Sequence, residues 1–137
     1  MIALDTSLII SFFNEDDVFH SQAVSKFKEF ESSGKRLLAT NYVVNEAVTV
    51  MLRKGGLVKS KELLEFLLEY KNMEIYHIDR DGFMEIVEAF RAQKSSLSFT
   101  DCSLLWLARY HGFIVETFDK DLLSELKKMD SHSHLRR

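Results

Sequence analysis

Four short runs rich in apolar residues, at positions 2–4, 36–40, 73–78 and 113–118, are separated along this 137-residue chain by stretches of helical periodicity. That alternation leaves few folds open. Short, mostly apolar strands are buried on both faces, and strands joined through helices run parallel. The pattern predicts an α/β chain, a three-layer α/β/α domain with a short, mostly parallel central sheet of four or five strands. In such sheets ligands bind beyond the carboxyl ends of the strands, where strand order reverses.

Residues 8–13 form a short helix on this reading, and Phe19, Ala23, Phe27 and Phe30 keep helical spacing until Ser32-Ser33-Gly34 stops them. A helix is predicted over 41–54, closed by Gly55-Gly56, and another over 57–71 with Leu64, Leu67 and Leu68 on one face. Phe83, Ile86, Val87 and Phe90 follow the i, i+3, i+4, i+7 rule. Ser98 opens a helix that Gly112 breaks, and Leu122, Leu126 and Met129 mark a last one. The length fits one domain, placed at 1–130, with 131–137 as a frayed tail. No clear strand follows Lys127, and no internal repeat is visible.

Hydrophobic residues at 46% and charged residues at 28% exclude a disordered or disulfide-dense chain. Cys102 is the sole cysteine and proline is absent, where average usage of about 5% would give roughly seven. The acid at Asp5 does not suit a signal peptide, and no run approaches the ~18 apolar residues of a membrane helix. A cytoplasmic location is expected, with no membrane partner. The net charge of −3 argues, taken alone, against attachment to nucleic acid by bulk positive charge.

Four acids change that picture. Asp5 lies at the end of the first strand and Asp119 at the end of the fourth, Asp101 is three residues after the cap candidate Ser98, and Glu46 is in the second turn of the 41–54 helix. All four can meet on one rim. Like charges in one site raise each other's pKa, and a hard divalent cation with oxygen ligands is the usual remedy. Carboxylates without a nearby Cys or His set favour Mg²⁺ or Mn²⁺ over zinc.

Each acid has a structural reading beside this one. Asp101 fits a Ser98-Phe99-Thr100-Asp101 capping box, Asp119 and Asp121 precede a helix, and Glu46 shares a stripe with Asn45, Thr49 and Arg53 that a solvent face would also show. Asp5 can cap the helix it precedes, yet an acid directly after a buried strand has no other structural need. Cys102 and Trp106 fall in an apolar helix and read as core, and His77, His111, His132 and His134 make no ligand set.

Leu4-Asp5-Thr6-Ser7, Asn45-Glu46, Leu97-Ser98-Phe99-Thr100-Asp101 and Thr117-Phe118-Asp119-Lys120-Asp121 resemble, in order and spacing, the successive motifs of the PIN domain family, nucleases that include VapC-type toxins of toxin-antitoxin modules. The resemblance spans residues 2 to about 123. It implies that Asp5, Glu46, Asp101 and Asp119 are the catalytic, metal-binding acids, with Asp121 an extra acid. The assisting small polar residue matches Thr6, then Thr117 or Thr100. The implied activity is hydrolysis of RNA phosphodiesters by an endoribonuclease using one or two Mg²⁺ or Mn²⁺ ions, ~4 Å apart if two.

The resemblance also implies an RNA substrate, a homodimer and an antitoxin protein as partners. Arg53, Lys54 and Lys120 are candidate RNA contacts beside the acids, and solvated surface is the competing reading for the cluster around Gly55-Gly56. Counting four acids as metal ligands changes the net charge of the remainder from −3 to +1, which removes the objection to nucleic acid. Alternatives are a PIN-fold RNA-binding or assembly module without nuclease activity, or a housekeeping RNA-processing nuclease. A receiver-like domain would need a mid-chain phosphoacceptor where Arg53-Lys54-Gly55-Gly56 stands, and a haloacid-dehalogenase-like phosphatase an acid where Ser7 stands.

Overall fold

The computed structural model describes residues 1–135, with side chains to residue 130. Four strands, β1 (Ile2–Leu4), β2 (Leu37–Thr40), β3 (Met73–Tyr76) and β4 (Ile114–Glu116), form one sheet in the order β3-β2-β1-β4, every pairing parallel. Seven helices flank it: α1 (Thr6–Phe13), α2 (His20–Ser33), α3 (Asn41–Gly55), α4 (Leu57–Glu69), α5 (Arg80–Ala92), α6 (Phe99–His111) and α7 (Lys120–Leu135). No fifth strand is present among the described residues. The expected tail at 131–137 lies outside the described residues for its last two positions and for all of its side chains.

The central strands are fully buried and their sequences, Ile-Ala-Leu and Leu-Leu-Ala-Thr, are accordingly apolar. Strand β3, at the edge, is less buried: Met73 and Tyr76 are half-buried and Glu74 and Ile75 are exposed, so the alternation in its sequence is not matched by alternating burial. The chain steps from β1 to β2 to β3 in one direction, then jumps back to place β4 beside β1. Right-handed crossovers running in opposite directions put their helices on opposite faces of a sheet. The helix contacts divide to match: α1 packs on α2 and α3, and α3 on α4, while α5 packs on α6, and α6 on α7. The reversal of strand order therefore falls between β1 and β4, the position where open α/β sheets place their ligands.

The observed elements depart from the sequence reading at their ends: β3 stops at Tyr76 rather than 78 and α4 at Glu69 rather than 71. Helix α1 begins at Thr6 rather than residue 8, because the Asp5 carboxylate accepts the Thr6 N–H and caps it. Helix α5 begins at Arg80, capped by Asp79 on Gly82 N–H, a signal the apolar spacing of 83–90 did not include. Phe19 precedes α2 instead of opening it. Strand β4 stops at Glu116, two residues short of expectation, since the Phe118 N–H turns to Ser7 Oγ and leaves the ladder.

The core joins Leu4, Leu8, Leu37, Leu38, Leu104 and Leu107, each 1% exposed or less. Burying one such side chain contributes about 1.5–3 kcal/mol. Cys102 and Trp106 are part of this core, as their apolar surroundings in the sequence required, and the indole N–H of Trp106 donates to Glu85 Oε2 at 3.1 Å. No helix among the described residues is long and apolar enough to cross a membrane.

Candidate active site

The carboxyl ends of β1 and β4 open onto a pocket of about 570 Å³ whose wall includes Asp5, Thr6, Glu46, Ser98, Asp101 and Asp119. All four acids singled out from the sequence reach it, from β1, α3, α6 and the β4–α7 turn. Lys54 lines the same pocket, Arg53 lines its neighbour across α3, and Lys120 is in neither. Asp121 is exposed in the first turn of α7 and lines neither pocket.

Asp5 is 4% exposed and is held by three donors. Its Oδ1 accepts the Thr6 N–H at 2.8 Å, and its Oδ2 accepts Ser7 Oγ at 2.8 Å and Thr117 Oγ1 at 2.6 Å. Each hydroxyl has one hydrogen and gives it to Asp5, so each oxygen is left to accept. Ser7 Oγ accepts the Phe118 N–H at 3.0 Å and Thr117 Oγ1 accepts the Asp119 N–H at 2.9 Å. The two hydroxyls thus lock the ends of β1 and β4 together and fix where Asp5 and Asp119 stand. Thr117, one of the small polar residues that the sequence reading offered for the assisting place, hydrogen-bonds Asp5 directly. Thr6 supports Asp5 through its backbone N–H, and its hydroxyl is buried with no hydrogen-bond partner. Ser7, not singled out before, is the second hydroxyl on Asp5. Its signal lay in the Asp-x-Ser spacing, which lets a residue in the first turn of α1 reach back to the cap.

The structural readings of these acids hold together with the pocket geometry. Asp5 caps α1, Asp119 Oδ1 accepts the Leu122 N–H in the first turn of α7 at 2.9 Å, and Ser98 caps α6 by accepting the Asp101 N–H at 3.0 Å. Capping places each carboxylate at a helix N-terminus, where the partial positive charge favours an anion. Asp101 nonetheless has its pKa raised from 3.8 to about 6, by burial first and then by the negative charges of Asp5 and Asp119, against hydrogen bonding to Ser98 that pulls it down. None of the four acids is in an ion pair within 4.0 Å among the described residues. Asp17, on the α1–α2 connection, also lines the pocket; it accepts Ser11 Oγ and the Phe19 N–H, each at 2.9 Å. Nothing in its local sequence distinguished it from Asp16.

Among the described residues no three Asp, Glu, His or Cys side chains stand close enough to hold an ion as placed. The donor chemistry nonetheless fits a hard cation. Four carboxylates face one pocket without a cationic partner, three of them coupled by charge, and a buried orphan hydroxyl belongs to the same wall. His77 and His111 are exposed away from this wall, and His111 packs its ring 4.6 Å from Trp106. Residues 132 and 134 have no described side chains.

The PIN domain family model matches residues 2–129, and the chain belongs to that family. Among solved structures it is similar to VapC20 of Mycobacterium tuberculosis, a sarcin–ricin-loop-cleaving toxin, with a TM-score of 0.77 at 23% identity over 91% of this chain and 95% of that one. It is also similar to PAE2754 of Pyrobaculum aerophilum, with a TM-score of 0.61 at 16% identity over 90% of this chain and 77% of that one. At these identities the likeness is one of fold. No curated protein sequence matches.

Proposed function

We propose that this PIN domain is a metal-dependent endoribonuclease, hydrolysing RNA phosphodiester bonds as the toxin of a VapBC-type toxin-antitoxin module. One observation carries the reading: four acids from four separate elements face one pocket at the switch point of the sheet, with no cationic side chain paired to them. The likeness to a toxin that cleaves the sarcin–ricin loop supports RNA as the substrate. A bound Mg²⁺ or Mn²⁺ supplies charge on the scissile phosphate and lowers the pKa of the attacking water.

Asp5 and Asp101 are the principal ligands. Asp5 is oriented by Thr6, Ser7 and Thr117, which leave one acceptor site, on Oδ1, for an ion and give the carboxylate little freedom to turn. Glu46 and Asp119 bind a second ion or orient the attacking water. Water adds its oxygen to phosphorus as the bond to the leaving ribose oxygen breaks, and its proton passes to a neighbouring carboxylate or to solvent. Lys54 on the pocket wall and Arg53 beside it take the RNA backbone, with Lys120 a further contact at the head of α7. The exposed Leu57, Val58 and Leu68 of α4, each more than half exposed, support a protein partner, a second copy or an antitoxin.

Incubation of an RNA panel with wild type and Asp5→Asn in Mn²⁺ tests the assignment. Cleavage by wild type, abolished by EDTA, restored by excess metal and lost in Asp5→Asn, is the expected result. Equal cleavage by both proteins, or EDTA inhibition that added metal does not relieve, overturns it. Metal-independent RNA binding with no cleavage on any RNA would favour a non-catalytic RNA-binding module.

A further inference from the structure

A second depression of about 420 Å³ adjoins the acid pocket across α3, and the two share Glu46 and Val50 as a common wall. Tyr42 and Phe99 line it side by side, packed on each other with ring centroids 5.8 Å apart and planes at 58°. Phe99 is held in place by Phe83 at 5.6 Å and Phe90 at 5.9 Å. Along the floor run Asn45, Thr49 and Arg53, spaced one helical turn apart on α3. All three side chains are exposed, and among the described residues none of them makes a hydrogen bond or an ion pair, so they stand open to a ligand. The sequence stripe of Asn45, Glu46, Thr49 and Arg53 is thus a solvent-facing stripe that also borders a depression lined by two aromatic rings.

We propose that this depression is a nucleobase subsite, taking one unpaired base of the RNA strand next to the phosphate held at the acids, a role that rests on the ribonuclease reading above. Continuity through Glu46 fixes the occupant as part of the same ligand. The rings offer stacking faces, Asn45 and Thr49 offer donors and acceptors to a base edge, and Arg53 offers a cation to the next phosphate. A base that stacks on these rings must be unpaired. Phe99 and Asn45, which stand beside the acids in the motifs, become binding residues in their own right.

A random-sequence RNA pool carrying 5-iodouridine in place of uridine is irradiated with the full-length Asp5→Asn protein in Mn²⁺, and the cross-linked tryptic peptides are sequenced. The adduct is expected on Tyr42 in peptide 37–53 or on Phe99 in peptide 95–109. Phe99→Leu and the exposed-site variant Asn45→Ala are expected to weaken binding of the same pool roughly tenfold each, read by fluorescence anisotropy, with unchanged circular dichroism. Adducts elsewhere, no RNA binding, no adduct because a second copy covers both rings, or wild-type affinity in Asn45→Ala and Phe99→Leu each overturn the subsite. If wild type cleaves RNA but the adduct lies elsewhere, the subsite alone fails. An adduct on Tyr42 or Phe99 in a protein whose wild type cleaves no RNA leaves the subsite standing and removes the nuclease reading.

Discussion

Thr117 Oγ1 donates to Asp5 Oδ2 at 2.6 Å across 112 residues of sequence, while the same oxygen accepts the Asp119 N–H at 2.9 Å. One hydroxyl thereby sets the position of two acids on different strands. Thr117→Val keeps the shape and deletes both bonds, leaving the Asp119 N–H and part of the Asp5 carboxylate without partners. A loss of about 1–3 kcal/mol in urea unfolding is expected. Metal-dependent cleavage should fall ~10–100-fold, as for other residues that orient a ligand. Ser7→Ala should behave alike, and a Thr117→Ser variant should recover most activity.

Asp101 makes the metal-free protein pH-sensitive. Its folded pKa of about 6 lies above its ordinary value of 3.8, so the unfolded state gives up the proton first. The folded state pays no penalty below pH ~4, and stability falls as pH rises through 6. In EDTA, Asp101→Asn should therefore stabilise at pH 7, by roughly 1–3 kcal/mol, and make no difference at pH 4. Saturating Mn²⁺ at pH 7 should reverse the sign, because the carboxylate then gains a cation that the amide holds poorly. Urea titrations of both proteins at the two pH values read this directly.

Metal should stabilise the fold by mass action. At a concentration 100-fold above its dissociation constant an ion adds about 2.7 kcal/mol, which a thermal melt registers as a rise in Tm with Mn²⁺ or Mg²⁺. Asp5→Asn and Asp101→Asn should lose most of the rise. Mg²⁺ and Mn²⁺ melts that leave wild type unmoved would contradict the ligand assignment.

Gly82 tests the opposite side of the sheet. A Cβ there would meet Trp106 Cη2 at 3.0 Å and Ile78 Cγ2 at 3.1 Å. The indole cannot retreat without giving up its bond to Glu85. Alanine in a helix ordinarily gains up to ~1 kcal/mol over glycine, but overpacking costs about 1–3 kcal/mol. Gly82→Ala should therefore be net destabilising, while Gly82→Ala combined with Trp106→Phe should recover part of the loss.

The α/β class and the parallel sheet were legible in the sequence, because burial on both faces makes central strands such as Ile2–Leu4 and Leu37–Thr40 apolar except for Thr40. So were the acids, since a carboxylate after a strand or in the first turn of a helix has a position that can be read locally. What local sequence cannot report is which strand lies beside which. The β3-β2-β1-β4 order brings residue 117 to residue 5, and only that adjacency turns Ser7 and Thr117 into the clamp on Asp5 and draws Asp17 onto the same wall. The same holds for the stripe on α3, which is exposed as its periodicity implies and gains a second aromatic neighbour only because α6 brings Phe99 against Tyr42. Propensity and periodicity act over a few residues, and they determined the elements and the acids at their ends. Distances between side chains a hundred residues apart depend on the packing of the whole core, and the tertiary structure alone decided those.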